Sequence, residues 1–228
     1  MTIHETFHVK HSVFILGFCC LLVSLAKGQG YLVTADKPFE INRAMDTGIV
    51  NVLVRAGARE YASEQEMSYL YWVNIMRRNP SLFHRQYVQA YLKQFPEAIS
   101  EESRSLEVEM STLPALPPLV PIRSLYGASS LHAAFLARTG RLSHDGEGGK
   151  GFPTRMEEAG VRSCAGEVIF DGKDDMLVAV ILLLIDHLVP GVGHRKALLN
   201  PAFTRTGAAV RFSREGRAVM VQDLSCPQ

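Results

Sequence analysis

Val189-Pro-Gly-Val-Gly-His-Arg-Lys-Ala-Leu-Leu-Asn-Pro201 is the stretch around which the chain is organised. An unbroken apolar run, Met176 to Ile185, leads into it. Pro190, Gly191 and Gly193 then interrupt any helix, and His194 follows at once. Glycine reaches backbone conformations that other residues resist, so a Gly-X-Gly turn can aim the next side chain into a cleft. Alone, the stretch reads equally well as a helix–loop–helix corner with a surface histidine. The residues around it decide between the two.

The run before the turn is too short to cross about 30 Å of hydrocarbon and reads as a buried helix, capped by Asp174 or Asp175 and running to about His187. Beyond the turn, Lys196 to Asn200 forms a helical turn that Pro201 closes. Thr206–Phe212 and Arg217–Leu224 then read as a hairpin around Ser213-Arg-Glu-Gly216. Upstream stands Ala165-Gly-Glu167, with Glu167 leading an apolar run. Before it lie a short helix, Pro153 to Ala159, and a glycine-rich turn carrying Leu142-Ser-His-Asp-Gly146. A helix from about Ser124 to Thr139, stopped by Gly140, places His132 on its inner face with Leu125, Ala128 and Phe135. A histidine on such a face is more often a hydrogen-bonded core residue than a ligand.

Nearer the N-terminus, Ser63 and Glu66 form a capping box that starts a helix with Met67, Leu70, Tyr71, Asn74 and Ile75 on one face. Asn79-Pro80 ends that helix and starts another, to about Phe95, whose stripe of Phe83, Tyr87 and Tyr91 reads as core. Pro96 to Pro121 is expected to be a long connection, with Leu116-Pro-Pro-Leu119 extended against the core. Residues 29–62 are expected to form an extended arm with a strand at Ile49–Val54.

The 228 residues carry a net charge of +1, which excludes the basic footprint of a nucleic-acid-binding protein. Residues 1–28 read as a secretory signal peptide: Lys10 and three histidines, an apolar stretch from Val13 to Leu25, then Ala26-Lys-Gly28. Its removal takes away Glu5, Lys10 and Lys27, leaving a formally neutral mature chain with no transmembrane segment. Only Cys164 and Cys226 then remain, either as a disulfide that an oxidising compartment permits or as two separate thiols. The organisation expected is therefore a signal peptide, an arm over 29–62, and one domain over 63–228.

His144, Glu167, Asp186-His187 and His194 supply imidazoles and carboxylates that can hold Zn²⁺ with a position open for water, or act as general acid and base. Their spacing matches no local metal signature and decides neither. Their order and setting, however, resemble the CAP superfamily (cysteine-rich secretory proteins, antigen 5 and pathogenesis-related proteins), also called the SCP-like extracellular domain, and its bacterial members most closely. The resemblance runs from about Glu64 to Ser225. It rests on the Glu66–Arg78 helix with Asn74, Leu131-His-Ala133, Leu142-Ser-His-Asp145, Gly166-Glu167, Gly193-His-Arg-x-x-Leu-Leu-Asn-Pro-x-Phe203, and Gly207 opening a strand.

This resemblance implies an α+β fold: an α–β–α sandwich around a small antiparallel sheet, with a cleft lined by two histidines and two acids. His144 and His194 match the histidines and Glu167 the first acid. Where the family often carries Glu, this chain has Asp186, with His187 in reserve. Val168 also replaces the commoner Asn. The expected product is a secreted protein, extracellular or periplasmic, that binds a divalent metal such as zinc through His144 and His194, a small lipid or sterol-like ligand, or both. A metal-dependent hydrolase with Glu167 as base, and an interaction domain with a vestigial cleft, are the alternatives. Arg195 is expected to brace a carboxylate or a helix end.

Overall fold

The computed structural model describes residues 37–43 and 45–227, and the expected signal peptide lies outside them. Ile49–Val54 is not a strand. It lies within α1 (Thr47–Arg55), where Asp46 accepts hydrogen bonds from the Gly48 and Ile49 amides and Ile49 and Leu53 are buried one turn apart. The β-branched residues suggested an extended segment, but a capping aspartate and an i, i+4 apolar pair favour a helix. α2 (Glu64–Arg78) begins with the expected capping box, Ser63 and Glu66 bonding reciprocally. It is buried nearly all round rather than along one stripe: Tyr69, Trp72 and Val73 are interior as well as Leu70 and Tyr71.

Asn79 caps α3 (Pro80–Phe83), which passes through a π-helical turn, His84–Val88, into α4 (Gln89–Gln94). The aromatic stripe is core. Tyr87 stacks edge-on with Trp72 at 5.1 Å between ring centres, and Tyr91 does so with Phe39 at 5.4 Å. The expected long connection contains a helix, α5 (Glu101–Thr112), capped by Ser100 and buried through Leu106 and Met110. Leu116 and Leu119 do lie extended in the core, and the Asn74 side chain bonds both backbone groups of Leu119.

The sheet has the order β1-β3-β4-β2, with β1 at Val120–Pro121, β2 at Ala165–Gly172, β3 at Arg205–Phe212 and β4 at Ala218–Ser225. The three long strands are antiparallel, while the two-residue β1 joins β3 in parallel. α6 (Arg123–Thr139) covers one face over Ile169, Ala209 and Val221. It comes so close that a Cβ on Gly207 would stand 2.1 Å from the Tyr126 amide nitrogen, so only glycine fits there. The other face, with Val168, Phe170 and Met220, packs on the layer containing α2 and α8 (Met176–Ile185). This is the α–β–α sandwich.

Arg77 lies wholly inside that layer and donates to the carbonyls of Pro117, Leu198, Asn200 and Phe203. Burial lowers its pKa to about 10, so the guanidinium remains charged at neutral pH. Cys164 and Cys226 form a disulfide, Cα atoms 5.3 Å apart, beside the paired ends of β2 and β4.

Candidate functional site

α8 ends at Ile185 because Asp186 turns left-handed, at φ 58° and ψ 40°. Leu188 and Val192 also have positive φ, so three non-glycine residues within seven adopt a conformation that L side chains disfavour. Of the two glycines, Gly191 is left-handed at φ 69°, whereas Gly193 has ordinary helical angles and opens α9 (Gly193–Leu199). Such local strain persists only where surrounding bonds over-determine it.

Those bonds are visible. Asp186, buried at the turn, accepts from the His194 amide at 2.9 Å and the Arg195 amide at 3.2 Å through Oδ2. Its Oδ1 accepts from His194 Nδ1 at 2.7 Å. A carboxylate thus caps the start of α9 and orients the first imidazole. Arg195, also buried, turns the other way. Its guanidinium donates to the carbonyls of Leu184, Ile185 and Glu102 and to Ser105 Oγ, tying the C-terminus of α8 to α5. It braces a helix end, as expected.

The second imidazole is wired alike. His144 Nδ1 donates to Glu167 Oε1 at 2.7 Å, and Arg155 of α7 (Phe152–Glu158) donates to Glu167 Oε2 at 2.6 Å. Arg155 also donates to the His144 carbonyl, so loop and strand are locked together. Glu167 has a side chain only 1% exposed, whereas His144 is half exposed and His194 is 19% exposed. His132 is the core histidine expected: Nε2 donates to the Ser143 carbonyl at 2.8 Å, and burial lowers its pKa.

The structure therefore joins His144 with Glu167 and His194 with Asp186. α9, which carries His194, packs on β2, the strand carrying Glu167. His187 does not join them. It bonds Glu102 on α5 at 3.0 Å, and this bond leads the causes that hold the Glu102 carboxyl near a pKa of about 2. Sequence reasoning missed Arg155, which has no motif. It also missed Asp223, which reaches Glu167 only through strand register.

In each pair a carboxylate takes Nδ1, and Nε2 makes no hydrogen bond among the described residues. That is how ligating imidazoles are normally supported, and each ring by itself offers the kind of donor a divalent cation takes. Among the described residues, no three His, Cys, Asp or Glu side chains form a ligand cluster. Met176–Ile185 is buried except for the half-buried Val178, and Leu119 is fully buried. A pocket of about 440 Å³ lies elsewhere, between Tyr61, Tyr126 and Arg211.

An α–β–α sandwich with two carboxylate-supported histidines is the architecture expected of one class of exported domains, and the sequence comparison agrees. Residues 113–224, just under half of the chain, match the Cysteine-rich secretory protein family, CAP. Among solved structures it is similar to a Bacillus anthracis extracellular protein containing a SCP domain, at 25% identity and a TM-score of 0.39, covering 49% of this chain and 35% of that one. It thus spans about a third of that protein's length. An outer surface protein of Borrelia burgdorferi matches at 16% identity and a TM-score of 0.42, covering 50% and 80%. Schistosoma mansoni venom allergen-like protein 4 matches at 10% identity and a TM-score of 0.42, covering 73% and 91%. Comparison with curated proteins finds no match.

Proposed function

We propose that this chain is an exported CAP domain that binds a divalent cation of the zinc class through Nε2 of His144 and Nε2 of His194, as a binding module rather than a hydrolase. The observation that carries this reading is the shared wiring of the two rings, each with Nδ1 on a buried carboxylate. It sets the tautomer that leaves a lone pair on Nε2 and raises the basicity of that nitrogen. Export is supported by the leader-like residues 1–28 and by the Cys164–Cys226 bond.

The hydrolase alternative needs a base that can reach a water molecule. Glu167 is a poor one, since His144 occupies one oxygen, Arg155 the other, and its side chain is 1% exposed. Its geometry suits holding a ring. Zinc titration by calorimetry on wild type, His144→Ala and His194→Ala tests the reading. Loss of binding in both variants is expected, and unchanged affinity in both overturns it. Metal-dependent turnover on a peptide and ester panel, abolished by Glu167→Gln, would establish the enzyme instead.

A further inference from the structure

Behind the exposed His144 lies a buried cluster that cation binding leaves unexplained. Glu167 on β2 and Asp223 on β4 are register partners, so their side chains leave the same sheet face as neighbours. Elements from three sides close over them. From α6, Ser129 Oγ lies 2.7 Å from Asp223 Oδ2, and one turn later His132 Nε2 lies 3.8 Å from Glu167 Oε2. α7 brings Arg155, and the 143–151 loop brings His144. Asp223 is fully buried.

Two acids and one guanidinium therefore share a dry space, with His132 kept neutral by burial. If both acids were ionised, the buried groups would carry an uncompensated negative charge, which desolvation opposes. One retained proton leaves a balanced carboxylate–guanidinium pair. Hydrogen bonding identifies its holder. Glu167 uses both oxygens as acceptors, from His144 and Arg155. Asp223 meets the Ser129 hydroxyl at Oδ2, but Oδ1 is buried with no donor in reach among the described residues. A hydroxyl at Oδ1 removes that defect, because it donates where a bare oxygen would have to accept.

We propose that Asp223 is a carboxylic acid at neutral pH, that its Oδ1–H donates to Glu167, and that it is thereby a positioning residue for the Glu167–His144 pair. Burial, first, and the neighbouring Glu167, second, both raise its pKa well above the usual carboxylate range. Asp223 acts on the ring only through Glu167: it holds the carboxylate that fixes His144 with hydrogen on Nδ1. This inference goes beyond the cation-binding reading and holds with or without a cation at Nε2.

The test uses the full mature chain stripped of metal by chelation, so it cannot fail merely because metal binding fails. Carboxyl-¹³C-labelled aspartate is followed by NMR across pH, with Asp223 assigned by the resonance lost in Asp223→Asn. The expected result is a protonated chemical shift for Asp223 at pH 7, and a deprotonated shift there overturns the proposal. Imidazole ¹⁵N shifts then report the His144 tautomer. Asp223→Asn keeps a neutral donor toward Glu167 and is expected to retain the single Nδ1–H form, whereas Asp223→Ala is expected to lose it. A wild-type tautomer in folded Asp223→Ala overturns the positioning role. If that variant does not fold, the same reading is made in Asp223→Val, and the wild-type carboxyl titration needs no variant.

Discussion

Asp186 and His194 are joined twice, through the backbone amide at 2.9 Å and through the ring nitrogen at 2.7 Å. One carboxylate therefore sets both where α9 starts and how its first imidazole points. The Glu-to-Asp difference noted in the sequence does not shorten a reach toward a distant partner, because the chain brings the partner to the aspartate by turning left-handed at that residue.

Asp186→Asn should uncouple those roles. The amide oxygen can still accept from the α9 backbone, but the –NH₂ now faces Nδ1 and drives the hydrogen to Nε2. We expect unfolding stability to change by no more than about 1 kcal/mol, while zinc affinity falls by about 10- to 100-fold. Parallel urea melts and calorimetric zinc titrations separate the two effects.

Val192 is β-branched and left-handed at φ 47° and ψ 55°. Val192→Gly should relieve that strain and raise stability by about 1 kcal/mol despite the added entropy of the unfolded chain. A fall of similar size in the urea midpoint would show that the valine side chain contributes more than its backbone costs.

Arg195 satisfies three carbonyls and a serine hydroxyl from a buried position. Arg195→Met leaves the buried Leu184 and Ile185 carbonyls without their donor, at roughly 1–3 kcal/mol each, so we expect a total loss of about 3 kcal/mol or more. Arg195→Lys should recover little, since a single ammonium cannot replace a planar fork of donors. Thermal melts of the three proteins decide this.

Two acids should give opposite pH signatures. Glu102 falls from 4.5 unfolded to about 2 folded, so its stabilising contribution is complete above pH 4.5 and is lost as pH falls through about 2. Glu102→Gln should therefore cost stability at pH 7 and nothing near pH 1.5. Asp223 is raised above its unfolded 3.8, so its contribution is complete below pH 3.8 and is lost as pH rises through its folded value. The stability of wild type relative to Asp223→Asn should accordingly decline with rising pH. Urea midpoints for all three proteins, taken in steps of one pH unit, show both trends.

How much was legible follows from the range of the information. The Ser63 capping box, the Asn79-Pro80 break and the hairpin are written in neighbouring residues, and each stands in the structure. His144, Glu167, Asp186 and His194 could be singled out because each sits beside its own turn or strand signal. α1 was misread because Ile49, Val50, Val52 and Val54 outweighed the cap at Asp46. α5 was misread because its apolar content in the first three turns reduces to Leu106, Val108 and Met110 among acids and serines. Asp223 and Arg155 could not be read locally at all. One is set beside Glu167 by the alignment of strands some fifty residues apart, and the other arrives on a short helix whose sequence resembles any surface helix.

Arg77 has a further consequence for folding kinetics. Its four carbonyl partners come from the Pro117 segment, the end of α9 and the approach to β3, so they assemble only after distant parts of the chain have met. A contact of that kind belongs on the native side of the folding barrier. Removing it should accelerate unfolding while barely slowing refolding, making this buried cation a latch on the lifetime of the folded state rather than a nucleus for reaching it.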